Sequence, residues 1–182
     1  NIYYMHNNYY KRSYYMALVK SVAPAKAPTS SSEVYIGKKL PKADFGELCT
    51  IIEVDANDTT GTEAFNLVAE DVLRNLGFVE VSNENGSFLV APDKNGVVDD
   101  DAFAIVKNKK KKSDETYVGK KVSKKVFETI RGSLKLHEDA TGTDVFNRMV
   151  EQRLVNTGQY EWFSYEGREV CVPLGGSVVN GE

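Results

Sequence analysis

The chain has 182 residues, 41% hydrophobic and 27% charged, with 23 basic and 26 acidic side chains for a net charge of −3. This is an ordinary globular composition, long enough for one medium domain or two small ones. No run approaches the ~18 consecutive apolar residues of a membrane helix, and the N-terminus lacks an apolar segment followed by a small-residue cleavage site, so an intracellular protein with no membrane partner is expected.

Residues 1–15 contain six tyrosines and no apolar periodicity. Lys11-Arg12-Ser13 can be encoded by codons that spell a purine-rich ribosome-binding sequence, at a workable distance before Met16. One reading is therefore translated upstream sequence, with the native start at Met16 and a bacterial or bacteriophage gene, located in the host cytoplasm or the virion. The other is a Tyr-rich arm that docks on a partner. Residues 17–32 carry Pro, Ala, Ser and Lys without hydrophobic pattern, so 1–32 as a whole reads as a flexible leader.

A first module follows over 33–92. Val34 to Leu40 predicts a strand. Phe45, Leu48, Cys49 and Ile52 recur at helical spacing behind Pro41, a residue favoured in a first helical turn. Thr60 with Glu63 forms a capping-box pattern opening a second helix, whose stripe is Phe65, Val68, Ala69, Val72, Leu73 and Leu76, and Gly77 stands where a left-handed residue ends it. Phe78–Ser82 and Ser87–Ala91 then predict a hairpin turned by Asn85-Gly86, with Val79, Val81 and Val90 on one face.

Residues 93–113 read as a charged linker: the acidic run Asp99-Asp100-Asp101, an apolar patch from Phe103 to Val106 able to dock on a module, and the basic run Lys107-Asn108-Lys109-Lys110-Lys111-Lys112. The module pattern then returns over 114–176. Tyr117 to Val122 repeats the strand, and Ser123 caps a helix with Phe127 and Ile130 on its buried side, although Gly132 leaves that helix's end open. From Gly142 to Pro173 the second copy aligns without a gap on Gly61 to Pro92, with eleven identical pairs, among them Phe65/Phe146, Glu70/Glu151, Gly77/Gly158 and Gly86/Gly167. Asp144 replaces Glu63 in the capping pattern, the stripe narrows to Phe146, Met149, Val150 and Leu154, and the hairpin turns at Glu166-Gly167 with Tyr160, Trp162 and Cys171 on one face. Residues 177–182 form a tail. The fold class expected is α+β, a tandem duplication of a strand, two helices and a β-hairpin. Modules of roughly 60 residues are near the lower limit for an independent core, so they are expected to pack on each other or on a partner.

Nothing at motif spacing supports an enzyme, a metal site or a cofactor. Cys49 and Cys171 form no CxxC pair and are not equivalent in the two copies, so buried free thiols are expected. His137 lies in a loop, with no nucleophile or orienting group at motif spacing. The loop from Asp55 to Gly61 departs from a calcium loop in the position of its glycine, and Asn66 stands where a bidentate glutamate is needed.

The order strand, helix, helix, hairpin, together with the Leu73-Arg74-Asn75-Leu76-Gly77-Phe78 junction, resembles winged-helix modules. That resemblance implies a second helix in the recognition position and a wing tip at Asn85-Gly86 or Glu166-Gly167. Charge separates the copies: 33–92 carries four basic and eleven acidic side chains, and 114–176 carries nine and ten. Because cationic side chains dominate affinity for phosphates, the second copy is the expected nucleic-acid binder. Its candidate residues are Lys109, Lys110, Lys111, Lys112, Lys120, Lys121, Lys124, Lys125, Arg148, Arg153 and Arg168. Arg148, Arg153 and Arg168 stand where the first copy has Leu67, Val72 and Ser87. The acidic first copy, with Leu67 beside its stripe, is expected to meet other protein subunits. The alternative is a structural or assembly protein, such as a bacteriophage virion component, whose copies are packing units in a homo-oligomer.

Overall fold

The computed structural model describes residues 33–105 and 115–175. The first copy runs β1 (Glu33–Pro41), α1 (Lys42–Ile51), α2 (Gly61–Asn75), β2 (Val79–Asn83) and β3 (Gly86–Val90). A single 3₁₀ turn at Pro92–Lys94 leads to β4 (Phe103–Ile105). The second copy runs β5 (Glu115–Ser123), α3 (Lys124–Ser133), α4 (Gly142–Asn156), β6 (Tyr160–Tyr165) and β7 (Arg168–Pro173). The fold is α+β, with four helices and small antiparallel sheets among the described residues.

The helices form where local chemistry places them. Thr60 accepts a hydrogen bond from the Glu63 backbone N–H, and the Glu63 carboxylate accepts from Thr60 N at 2.8 Å. Asp144 makes the same reciprocal pair with Thr141, so the shorter acid completes the capping box in the second copy as well. Gly77 (φ 91°) and Gly158 (φ 72°) end α2 and α4 in conformations that a Cβ would strain. Phe65, Val68, Ala69, Val72 and Leu73 of α2 are fully buried, as are Val145 and Met149 of α4.

Tertiary structure joins the copies strand to strand. β1 pairs antiparallel with β5 over nine residues, with Gly37 opposite Gly119 at the centre. Repeat-equivalent positions exchange partners across this pair: Ile36 faces Lys120 while Val118 faces Lys38, and Tyr35 faces Lys121 while Tyr117 faces Lys39. A pseudo-twofold axis therefore passes through the two glycines. α2 lies mainly against β5 and α4 mainly against β1, so each long helix packs on the strand of the other copy. The symmetric hydrogen bonds Thr62 Oγ1 to Gly119 O and Thr143 Oγ1 to Gly37 O, both 3.3 Å, fix this crossing. Phe65 and Phe146 stack across the axis at 6.4 Å, and Asp71 of α2 accepts from Asn156 of α4 at 2.9 Å. One hydrophobic core thus runs through both copies. The architecture does not confirm two separate winged-helix-like modules, because each leading strand joins the other copy's strand.

The hairpins depart from their expected turns in one place. The second turns at Glu166-Gly167, both with positive φ, as a tight two-residue turn requires. The first turns one residue earlier than expected, at Glu84-Asn85, with Asn83 paired to Gly86. The Asn83 side chain accepts from Asn85 N at 2.8 Å and closes the turn there; the second copy has Ser164 at that position. Val79, Val81 and Val90 still share a face, yet Val79 is 54% exposed. Val90 of that face is fully buried, and so is Leu89 on the other face, opposite Phe103 of β4. Phe103 is buried with its ring 6.2 Å from that of Phe65, so part of the linker is a third strand of the first copy's sheet.

Candidate nucleic-acid interface

In a two-stranded ribbon alternate side chains face opposite sides. Val34, Ile36, Lys38 and Leu40 of β1, with Val118, Lys120 and Val122 of β5, face the helices, where all but Val34 and Lys120 are buried. The opposite side presents Tyr35, Gly37 and Lys39 on one strand and Tyr117, Gly119 and Lys121 on the other. Tyr117 is 62% exposed and Tyr35 36%, and both lysines are exposed.

The glycine pair shapes this outward face. A Cβ on Gly119 would lie 2.4 Å from the Ile36 carbonyl oxygen and 2.6 Å from the Tyr35 hydroxyl; one on Gly37 would lie 2.9 Å from Tyr35 Cε1. The missing side chains let the strands close up and let the Tyr35 ring lie over the ribbon's centre. Burial there pushes the Tyr35 phenol up to about 12, with Tyr117 adding to the shift. On the symmetric side the Lys39 ammonium sits 5.5 Å from the centre of the Tyr117 ring, within cation–π range.

Of the basic residues singled out in the sequence, Lys109, Lys110, Lys111 and Lys112 lie outside the described residues. Lys121 is exposed on the ribbon face, and Arg168 is exposed beside the tip of the second hairpin. Lys124 and Lys125 start α3; Lys124 stands 3.8 Å from Glu128, and Lys125 is ion-paired with Asp100. Lys120 turns inward, with its ammonium 4.3 Å from the centre of the Phe103 ring and donating to the Ala104 carbonyl. Burial lowers its pKa to about 8, opposed by Glu70.

Arg148 lies 4.0 Å over Trp162 and is paired with Glu169 at 2.6 Å. Arg153 stands 3.7 Å from Asp71 across the copy boundary. Arg148 and Arg153 are thus held by hairpin and helix partners, while Lys121 shares the outward ribbon face with Lys39, Tyr35 and Tyr117. Those last three were not picked out from the sequence. Their signal is the alternation in the two leading strands, which becomes a shared face only once those strands are known to pair.

Other groups with chemical potential are placed differently. Cys49 is buried and its thiol is pushed up to about 11 by burial, then by Asp55. Cys171 is half-buried, its Sγ is 3.7 Å from the Glu151 carbonyl, and its thiol is pushed up to about 12, chiefly by burial. Both are therefore poor nucleophiles at neutral pH. His137 is exposed in its loop, with Nδ1 2.6 Å from Asp139. Asp55 accepts from Asn57 N at 2.8 Å within the turn leading into α2. No protein family, curated protein or solved structure matches this chain.

Proposed function

We propose that this chain is a non-enzymatic nucleic-acid-binding protein whose contact surface is the outward face of the β1–β5 ribbon. The observation that carries this reading is the double placement of a tyrosine opposite a lysine, Tyr35 with Lys121 and Tyr117 with Lys39, about the Gly37–Gly119 axis. Exposed cations supply phosphate affinity, and exposed aromatic rings supply stacking. In sequence, two residues separate the basic run over 107–112 from the start of β5. In this reading both copies contribute to the interface. Arg148 and Arg153, already paired with carboxylates, contribute little.

The test is fluorescence anisotropy of labelled oligonucleotides over a salt series with the full chain. The logarithm of the affinity is expected to fall linearly with log salt, and removal of Lys39 and Lys121 together is expected to shallow that slope by about 1.5–2, near one unit for each phosphate no longer neutralised. Binding that is absent or insensitive to salt would refute the proposal.

A second reading, an assembly protein acting through protein contacts, is favoured by the second hairpin. Phe163 is 43% exposed, Tyr165 38% and nearby Leu174 55%, where the first copy has Ser82, Glu84 and Asp93. The outer edge of β3 is covered by β4, whereas among the described residues no strand covers the outer edge of β7. Light scattering across a concentration series, on the chain and on Phe163→Ser/Tyr165→Glu, tests it. Self-association that the double variant abolishes supports this reading; a monomer at high concentration counts against a homo-oligomer.

A further inference from the structure

Resting on the nucleic-acid reading, we propose that the ribbon face binds single-stranded nucleic acid, stacking unpaired bases on Tyr117 and Tyr35 while Lys39 and Lys121 meet the backbone phosphates. A two-stranded ribbon has the right width for the major groove of a duplex, so duplex reading is the alternative to weigh. Groove reading draws chiefly on side chains that pair with base edges, Arg or Lys with guanine and Asn or Gln with adenine. Between Tyr35 and Lys39 on β1 and between Tyr117 and Lys121 on β5, the outward positions hold two tyrosines, two glycines and two lysines; the lysines suit either reading, and the two tyrosines, whose rings can stack on unpaired bases, favour the single strand.

The geometry suits stacking. Tyr117 is the third residue of a nine-residue strand that is paired along its whole length, and it is the most exposed large hydrophobic side chain among the described residues. Its backbone is therefore fixed while its ring is open. An aromatic side chain carried on a fixed backbone has only two torsions to restrict when a base stacks on it. Tyr35 lies lower, over the glycine pair, and continues the aromatic surface toward the ribbon's centre. Every base has a π-face, so stacking of this kind tolerates any sequence. Lys39 and Lys121 carry the sign that matches a phosphate backbone, and the exposed Glu33 lies at the end of the same face, two residues before Tyr35.

The experiment compares a labelled oligothymidylate of about a dozen nucleotides with a duplex of equal length, using the full chain at one salt concentration. The single strand is expected to bind at least about tenfold tighter. Tyr117→Ala is expected to weaken single-strand binding about tenfold, and Tyr117→Phe, which keeps the ring, to restore it. Because Tyr117 is exposed, unchanged far-UV circular dichroism is expected for both variants. A parallel titration with oligouridylate tells a DNA strand from an RNA strand. Binding that prefers the duplex, or that Tyr117→Ala leaves unchanged, overturns the single-strand inference and leaves nucleic-acid binding standing. Absence of binding to every oligonucleotide overturns both.

Discussion

Phe65→Ala tests whether the two copies share one folding unit. Phe65 is fully buried in α2, with its ring 6.2 Å from that of Phe103 in its own copy and 6.4 Å from that of Phe146 in the other. Removing a buried phenyl group costs its transfer free energy plus a cavity, about 3–5 kcal/mol. With a urea dependence of about 2 kcal/mol per molar, the unfolding midpoint should fall by roughly 2 M. The single tryptophan, Trp162, lies in the second hairpin and reports only on the second copy. If the core is shared, Trp162 fluorescence and far-UV circular dichroism give coincident transitions, and both move by the same amount in the variant. A Trp162 midpoint that stays at its wild-type value, while circular dichroism splits into two steps, would refute the shared core.

Three further outcomes follow from particular contacts. Burial in α4 pushes the Glu151 carboxyl up to about 7, against the pull of Arg148. Between its ordinary value of 4.5 and about 7 the unfolded chain has released a proton that the folded chain keeps, so stability falls as pH rises through that window and is level above it. Glu151→Gln should flatten the slope and stabilise the protein at pH ~8 by up to about 3 kcal/mol, read from urea midpoints across pH. Gly119→Ala should destabilise by about 1–3 kcal/mol, because its Cβ meets backbone atoms of β1 at 2.4 Å and 2.6 Å, whereas Gly132→Ala, with open space at its Cβ within α3, should gain about 0.5–1 kcal/mol in the same assay. Thr141→Ala removes the cap of α4 and should cost about 1 kcal/mol in thermal or chemical denaturation.

The helices and hairpins were legible in the sequence because the forces that set them act over a few residues. Thr60 with Glu63, Thr141 with Asp144, and the glycines after α2 and α4 each satisfy or terminate backbone groups within one or two turns. The apolar spacing of Phe65 to Leu73 identified its buried face without knowledge of what lay opposite. The first hairpin shows where local rules compete. Asn85-Gly86 and the Asn83 side chain each favour a turn, one residue apart, and the Asn83 hydrogen bond matches the turn that forms.

The basic candidates show the other limit. Lys120 and Lys121 read alike as members of a basic run, yet a one-residue step along β5 sends the first, in phase with Val118 and Val122, toward Phe103 and the second to the outward face. Likewise the sequence around Arg148 and Arg153 does not show what they pair with. Their carboxylate partners, Glu169 and Asp71, come from a hairpin strand and from the other copy.

By itself the sequence determined the repeat, the order of elements within it, the helix caps and the apolar stripes, because all of these depend on neighbouring residues. Only the tertiary structure decided that β1 pairs with β5, that the copies share a core, and that Tyr35, Lys39, Tyr117 and Lys121 meet on one face. Alternating hydrophobicity specifies which side of a strand is buried but not which strand lies beside it. Here that choice is sealed by close approaches far apart in the chain: Gly37 against Gly119, and the start of α4 against the β1 backbone, where a Cβ on Gly142 would lie 1.9 Å from the Tyr35 carbonyl oxygen.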